Sequence, residues 1–131
     1  MQFQDVGPSV EGLAQSFSNS AAYADFDNDG DYDIICNNID DKVTLYENVN
    51  SASSLQVVLQ GPSQNKSGIG ARVQVDYADK SLVTDYHPTR GFQSSMMSQL
   101  LFPQTGIQKV TVSWPGGRTE SRAMDLSLIH I

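Results

Sequence analysis

Asp25, Asp27, Asp29, Asp31 and Asp33 place five carboxylates at alternate positions within nine residues, around Gly30. Like charges this close repel, and residues 1–41 hold nine acids with no lysine or arginine to offset them. A bound divalent cation is the simplest way to make such a segment stable. Calcium suits it best, because it is a hard ion that accepts many oxygen ligands in a flexible shell. With Asp25 as position one, the side-chain oxygens of Asp25, Asp27 and Asp29 converge if the backbone curls. Gly30, at position six, permits the bend. Asp31 is then expected to offer its backbone carbonyl, and Asp33 to close the shell. Phe26 and Tyr32, lying between the ligands, are expected to point away and pin the loop to a core.

The rest of the composition narrows the function. The chain has 131 residues, a formal net charge of -7 and a pI near 4.4. Beyond residue 41 it carries six acids and all eight bases, so the acidity belongs to the front. Such a front half argues against nucleic acid and anionic membrane as its partners. Cys36 is the single cysteine, which rules out an intrachain disulfide and a thiolate metal site and leaves the expectation of a buried, inert thiol. No apolar run is long enough to span a membrane. Met1 to Val10 lacks the basic start and apolar stretch of a signal peptide, so an export signal is expected upstream, in a longer protein. Residues 126–131 resemble the translation of a sequencing adapter and are expected to carry no function.

Strand patterns dominate. Arg72–Tyr77 alternates with period two, putting Val73, Val75 and Tyr77 on one face, and Lys109–Trp114 does the same with Val110, Val112 and Trp114. Leu55–Leu59, Ser81–Tyr86 and Arg118–Met124 are further strand candidates. Ala78-Asp79-Lys80 predicts a tight hairpin. Pro115-Gly116-Gly117 predicts a type II turn, with Pro fixing φ and Gly accepting a positive φ. Trp114 is expected in the core beside Phe92 and Tyr77, with a sugar-stacking platform as the alternative. Met96, Met97 and Leu100–Phe102 form the most apolar patch, expected to pack inward. Gly68-Ile69-Gly70 lacks the further Gly and Lys-Ser/Thr pair of a phosphate loop, so close backbone packing is the expectation there. His87, before Pro88, is expected in a surface loop. The polar, β-poor stretch 48–54 marks a boundary. Residues 1–50 are too few to bury a core alone and read as one unit of an array.

The acidic loop does not complete an EF-hand. Position twelve, where that motif needs a bidentate Glu, is Cys36, and Ala21–Ala24 and Ile34–Cys36 suit short strands rather than helices. The shorter pattern resembles the FG-GAP or VCBS repeat over residues 3–49, through Phe3-Gln4-Asp5-Val6, Ser16-Phe17-Ser18-Asn19, Ala24 to Ile34 and Leu45-Tyr46-Glu47-Asn48. The resemblance implies part of a β-propeller blade, with Ca2+ held by Asp25, Asp27, Asp29, Asp31 through its carbonyl, and Asp33. Residues 54–125 resemble the ASPIC/UnbV domain, through Leu55-Gln56-Val57, Asn65 to Val73, Arg90 to Ser95 and Val110 to Gly117. That family usually carries an aromatic-Gly-Leu-Gly turn before its last strands, where this chain has Leu101-Phe102-Pro103-Gln104-Thr105-Gly106.

Together these readings predict an all-β chain, with part of a propeller blade and its calcium loop over 1–50 and a small antiparallel β domain over 54–125. The expected function is a calcium-stabilised binding module of an extracellular, cell-surface or periplasmic protein. Its expected partner is a protein or a polysaccharide, with no nucleic acid, no membrane insertion and no catalysis of its own. The alternative is a fragment of a glycan-processing enzyme that uses the acidic loop, which would need two carboxylates at a fixed separation free of metal.

Overall fold

The computed structural model describes residues 16–50, 52–91, 94–95, 99–123 and 129–130. Every regular element among them is a strand, and no helix is long and apolar enough to cross a membrane. The all-β expectation holds. Phe3–Val6, Phe92, Met96, Met97 and Met124 lie outside the described residues.

The first three strands, β1 (Ser18–Ala24), β2 (Asp33–Asn38) and β3 (Thr44–Tyr46), form an antiparallel sheet in chain order. Its buried residues are Ala24, Asp25, Asp33 and Asn38, three of them polar. Hydrogen bonds organise this sheet more than packing does. Asn38 shows how: its Nδ2 donates to the Lys42 carbonyl at 2.7 Å and to Thr44 Oγ1 at 2.9 Å, while its Oδ1 accepts from Ser18 Oγ at 2.8 Å. Ile34, Ile39, Val43 and Leu45 remain exposed.

The second half contains β4 (Ser54–Val58), β5 (Arg72–Tyr77), β6 (Ser81–Asp85), β7 (Thr89–Gly91), β8 (Ser94–Ser95), β9 (Gln99–Pro103), β10 (Ile107–Ser113), β11 (Thr119–Ala123) and β12 (Ile129–His130). Strands β11-β10-β5-β6 make one sheet and β12-β4-β9 another, while β7 and β8 pair as a short ribbon. Within the segment 126–131, the backbone of Ile129–His130 runs parallel to β4.

The core follows from alternation. Val73, Val75 and Tyr77 of β5 are buried together with Val110 and Val112 of β10, as period two requires. Leu55 and Val57 of β4 and Leu100 and Phe102 of β9 join the same cluster. Side chains from both sheets thus meet in one apolar layer, each contributing about 1.5–3 kcal/mol by leaving water. Among the described residues, none of this cluster comes from 16–50. Trp114 packs against its edge, partly buried.

The turns hold too. Gly117 N donates to the Trp114 carbonyl at 3.1 Å with Gly116 at φ 101°, the positive φ that a type II turn needs at its third residue. Tyr77 N donates to the Lys80 carbonyl at 2.8 Å and closes the β5–β6 hairpin. The segment that replaces the usual aromatic-Gly-Leu-Gly turn runs through β9 and then turns at Gln104–Gly106 into β10.

Two surface carboxylates make this fold sensitive to acid. The Ser81 hydroxyl, then the Gln74 amide and then Lys109 hold Asp76 below the usual carboxylate range. Arg72 does the same for Asp85, its cross-strand partner, through two bonds of 2.7 and 3.0 Å. Both groups bind a proton more weakly folded than unfolded. The stability they contribute is therefore present above the unfolded pKa and is lost as pH falls through the folded one. Urea melts between about pH 5 and about pH 2 should show that loss, and Asp76→Asn should make it smaller. A melt that is flat across this window in the parent protein would contradict the assignment.

Candidate metal centre

The acidic loop is the connection of a hairpin. Strand β1 ends at Ala24, β2 begins at Asp33, and those two residues face each other in the ladder. Between them the chain bends through Asn28 at φ 62° and Gly30 at φ 94°. Gly30 tolerates this left-handed backbone at no steric cost, and Asn is among the side chains that tolerate it best. A string of side-chain to backbone bonds curls the loop inward. Gly30 N donates to Asp25 Oδ2 at 3.2 Å, Asp29 N to Asp27 Oδ1 at 3.1 Å, and Asp31 N to Asp29 Oδ1 at 3.1 Å. This Asx pattern is how closely spaced aspartates fold a turn.

The curl brings carboxylate oxygens of Asp25, Asp27 and Asp29 within 4.8 Å of one another. Oxygens that share one calcium ion at 2.3–2.6 Å stand no more than about 5 Å apart, so the trio fits a calcium shell. Asp25 supplies the decisive detail. It is only 8% exposed, and its Oδ1 is shut off from solvent with no hydrogen-bond partner among the described residues. A buried carboxylate oxygen left without a donor is costly, and a cation in front of it removes the cost.

The remaining two aspartates do different things. Asp33 is buried, with Oδ2 accepting from Phe26 N and Oδ1 accepting from Asn48 N, both at 2.9 Å. It ties the start of the loop to the segment after β3 and stands outside the converging trio, though each of its oxygens keeps a second lone pair. Asp31 was expected to act through its carbonyl. Its carboxylate also turns inward, with both oxygens shut off from solvent and only the Asn50 backbone near enough to favour its charge. Burial first, then the charges of Asp29, Asp33 and Asp27, push its pKa up. The inward carboxylate of Asp31 has no signal in the sequence beyond its place in the alternation.

Of the two intervening aromatics, one behaves as expected. Tyr32 lies edge-on to Tyr23, with ring centroids 4.9 Å apart. Its hydroxyl accepts from Leu101 N at 2.9 Å and donates to the Gln99 carbonyl at 3.2 Å. These are groups of β9 at the free edge of its sheet, so Tyr32 joins the acidic loop to the second half and blunts that edge. Tyr77 caps the same strand through the Pro103 carbonyl at 2.7 Å. Phe26 enters no core and stays half exposed. Replacing Tyr32 by Phe should cost about 1–2 kcal/mol in urea denaturation and speed exchange of the Leu101 amide hydrogen. Unchanged exchange at Leu101 would mean that the hydroxyl does not hold the edge.

Other expected positions are placed as follows. His87 is exposed, and Arg90 reaches the backbone carbonyls of Asp85 and His87 at 2.5 and 3.3 Å. Cys36 is half-buried rather than buried, in a sheet that adds no residue to the core cluster among the described residues. A Cβ on Gly68 would meet Leu59 Cβ at 2.9 Å, which confirms close packing at Gly68-Ile69-Gly70.

Downstream of the loop lies the stretch whose motifs suggested a family, and its expected strands appear as β5, β6, β10 and β11. Residues 61–124 match the ASPIC and UnbV family. The match falls inside the expected 54–125 and spans the larger sheet, the β7–β8 ribbon and β9. It leaves β1 to β4 and the acidic loop outside the ASPIC/UnbV region. No curated protein matches the chain significantly.

Proposed function

We propose that the chain is a calcium-stabilised binding module of an extracellular, cell-surface or periplasmic protein, with no catalysis of its own. One observation carries the calcium part: buried Asp25 keeps an unpartnered Oδ1 among the described residues, and its carboxylate lies within 4.8 Å of those of Asp27 and Asp29. Asp31, and Asp33 through its spare lone pairs, complete the proposed ligand set. The ion acts structurally in this reading. It neutralises the loop of the β1–β2 hairpin and, through Tyr32, steadies the edge of β9.

The binding role rests on three supports. The residues 3–49 resemble an FG-GAP or VCBS repeat, a unit of propeller-like arrays. The first sheet leaves Ile34, Ile39, Val43 and Leu45 exposed, as a unit made to pack against neighbours would. Loops of this kind in extracellular modules work with weak affinity, about 10⁻⁴–10⁻³ M, because calcium is abundant outside cells. The enzyme alternative gains less from the geometry, since the carboxylates of Asp25, Asp27 and Asp29 crowd within 4.8 Å of one another. Calorimetric titration of the chelator-treated chain with calcium tests the reading. One site of that affinity, weakened in Asp29→Asn, is the expected result, and the absence of heat in the parent chain would refute it.

A further inference from the structure

We infer that the cleft between the β4–β5 loop and the β10–β11 turn carries a second site, for a neutral saccharide, centred on Trp114. A cleft of ≈ 470 Å³ opens between the β4–β5 loop and the β10–β11 turn. Gln60, Pro62, Gln64, Trp114, Pro115 and Arg118 line it. Its volume falls within the range of about 300–1,000 Å³ typical of ligand clefts.

The indole is fixed before any ligand arrives. Its Nε1 donates to Glu120 Oε1 at 2.8 Å, and Arg118 Nη2 grips the same oxygen at 2.7 Å. Against its ring edge lies the backbone of Gly68, where a Cβ would come within 3.0 Å of Trp114 Cζ3. The facing loop is clamped as well. Asn65 Nδ2 donates to the Ile69 carbonyl and its Oδ1 accepts from Ile69 N, each at 2.9 Å. Gly61 N donates to the Lys66 carbonyl at 2.9 Å and Asn65 N to the Pro62 carbonyl at 2.8 Å. Both walls are therefore preorganised, which lowers the cost of binding.

The chemistry of the walls selects the ligand. Trp114 has one hydrogen-bond donor, and Glu120 already takes it, so the indole offers only its π-face and edge. Pro62 and Pro115 add flat apolar surface. The charge of Arg118 is offset by Glu120, so the cleft as a whole is neutral. The exposed amides of Gln60 and Gln64 make no hydrogen bond to any described residue, and each can donate and accept. An apolar floor with an amide rim fits a pyranose ring, which shows one C–H face and a girdle of hydroxyls. A phosphate would meet Glu120 beside the one arginine. A proline-rich peptide would seek the indole N–H for a carbonyl and find it occupied. This site is independent of the metal loop, so the two readings stand or fall separately.

Trp114 is the single tryptophan of the chain, so its fluorescence reports on this cleft alone. The test titrates the whole chain with cellohexaose, laminarihexaose, xylohexaose, mannohexaose and chitohexaose, each with and without chelator. Decaproline and pyrophosphate serve as the competing ligands. The expected result is a saturable emission change with at least one neutral oligosaccharide, unaltered by chelator. Gln64→Ala, which breaks no described contact, should weaken that binding about three- to tenfold at an unchanged melting temperature. No response to any of the five sugars would overturn the proposal. So would a response confined to decaproline or pyrophosphate, or equal sugar affinity in Gln64→Ala.

Discussion

Calcium added to the metal-free chain should raise its melting temperature, and Asp25→Asn should erase the rise. A ligand that binds only the folded state stabilises it by RT ln(1 + [L]/Kd). With Kd about 10⁻⁴–10⁻³ M, about 10 mM calcium contributes roughly 1.4–2.7 kcal/mol. For a domain of this size that corresponds to roughly 5–15 °C in a calorimetric scan. The substitution has a sign that separates metal binding from simple damage. Asn keeps an oxygen to accept the Gly30 N–H and removes the buried charge whose Oδ1 has no partner. In chelator, Asp25→Asn should therefore be as stable as the parent or more so, because the uncompensated charge is gone. In saturating calcium it should be the less stable of the two. The two proteins thus cross over. A variant that is less stable under both conditions by the same amount would show that Asp25 only braces the turn. A parent chain indifferent to calcium would remove the metal from the account.

The sequence showed most where short-range geometry decides. Period two in Arg72–Tyr77 and Lys109–Trp114 named the inward residues, and Val73, Val75, Tyr77, Val110 and Val112 are buried accordingly. Pro115-Gly116-Gly117 announced its turn through backbone chemistry alone. The bend of the acidic loop was legible because Gly30 stands where a left-handed backbone is needed. What stayed hidden depends on partners far along the chain. Tyr32 meets Gln99 and Leu101 across more than sixty residues, and no local pattern marks that meeting. Leu100–Phe102 read only as an apolar patch, because three adjacent apolar residues give no period. Its alternation appears once β4 lies beside it, with Leu100 and Phe102 buried and Leu101 half-buried between them. Phe26 and Cys36 misled for one reason. Their residue types usually find a core, and neither the first sheet, which holds Cys36, nor its loop, which holds Phe26, contributes to the core cluster among the described residues.

Strand β9 is where those long-range links gather, and Phe102→Ala should be the most damaging single change in the second half. Phe102 is 4% exposed and sits opposite Leu55 in the ladder to β4. It belongs to the cluster in which the two sheets meet. Truncating a buried Phe removes its transfer free energy and leaves a cavity, together about 3–5 kcal/mol. Domains of this size hold only about 5–15 kcal/mol in all, so the variant should unfold at much lower urea with a similar slope. Val83→Ala, on the exposed side of β6, provides the contrast and should change stability by no more than about 0.5 kcal/mol. The damage should also travel. Gln99, Leu101 and Pro103 of the same strand receive Tyr32 and Tyr77, so loosening β9 loosens the anchor of the acidic loop. Calcium affinity in Phe102→Ala should consequently fall, although no ligand is touched, because the loop's preorganisation is lost with its anchor. A loss under about 1 kcal/mol would mean that the two sheets do not share one core. Full destabilisation with unchanged calcium affinity would mean that the loop is self-sufficient and that Tyr32 transmits nothing to it.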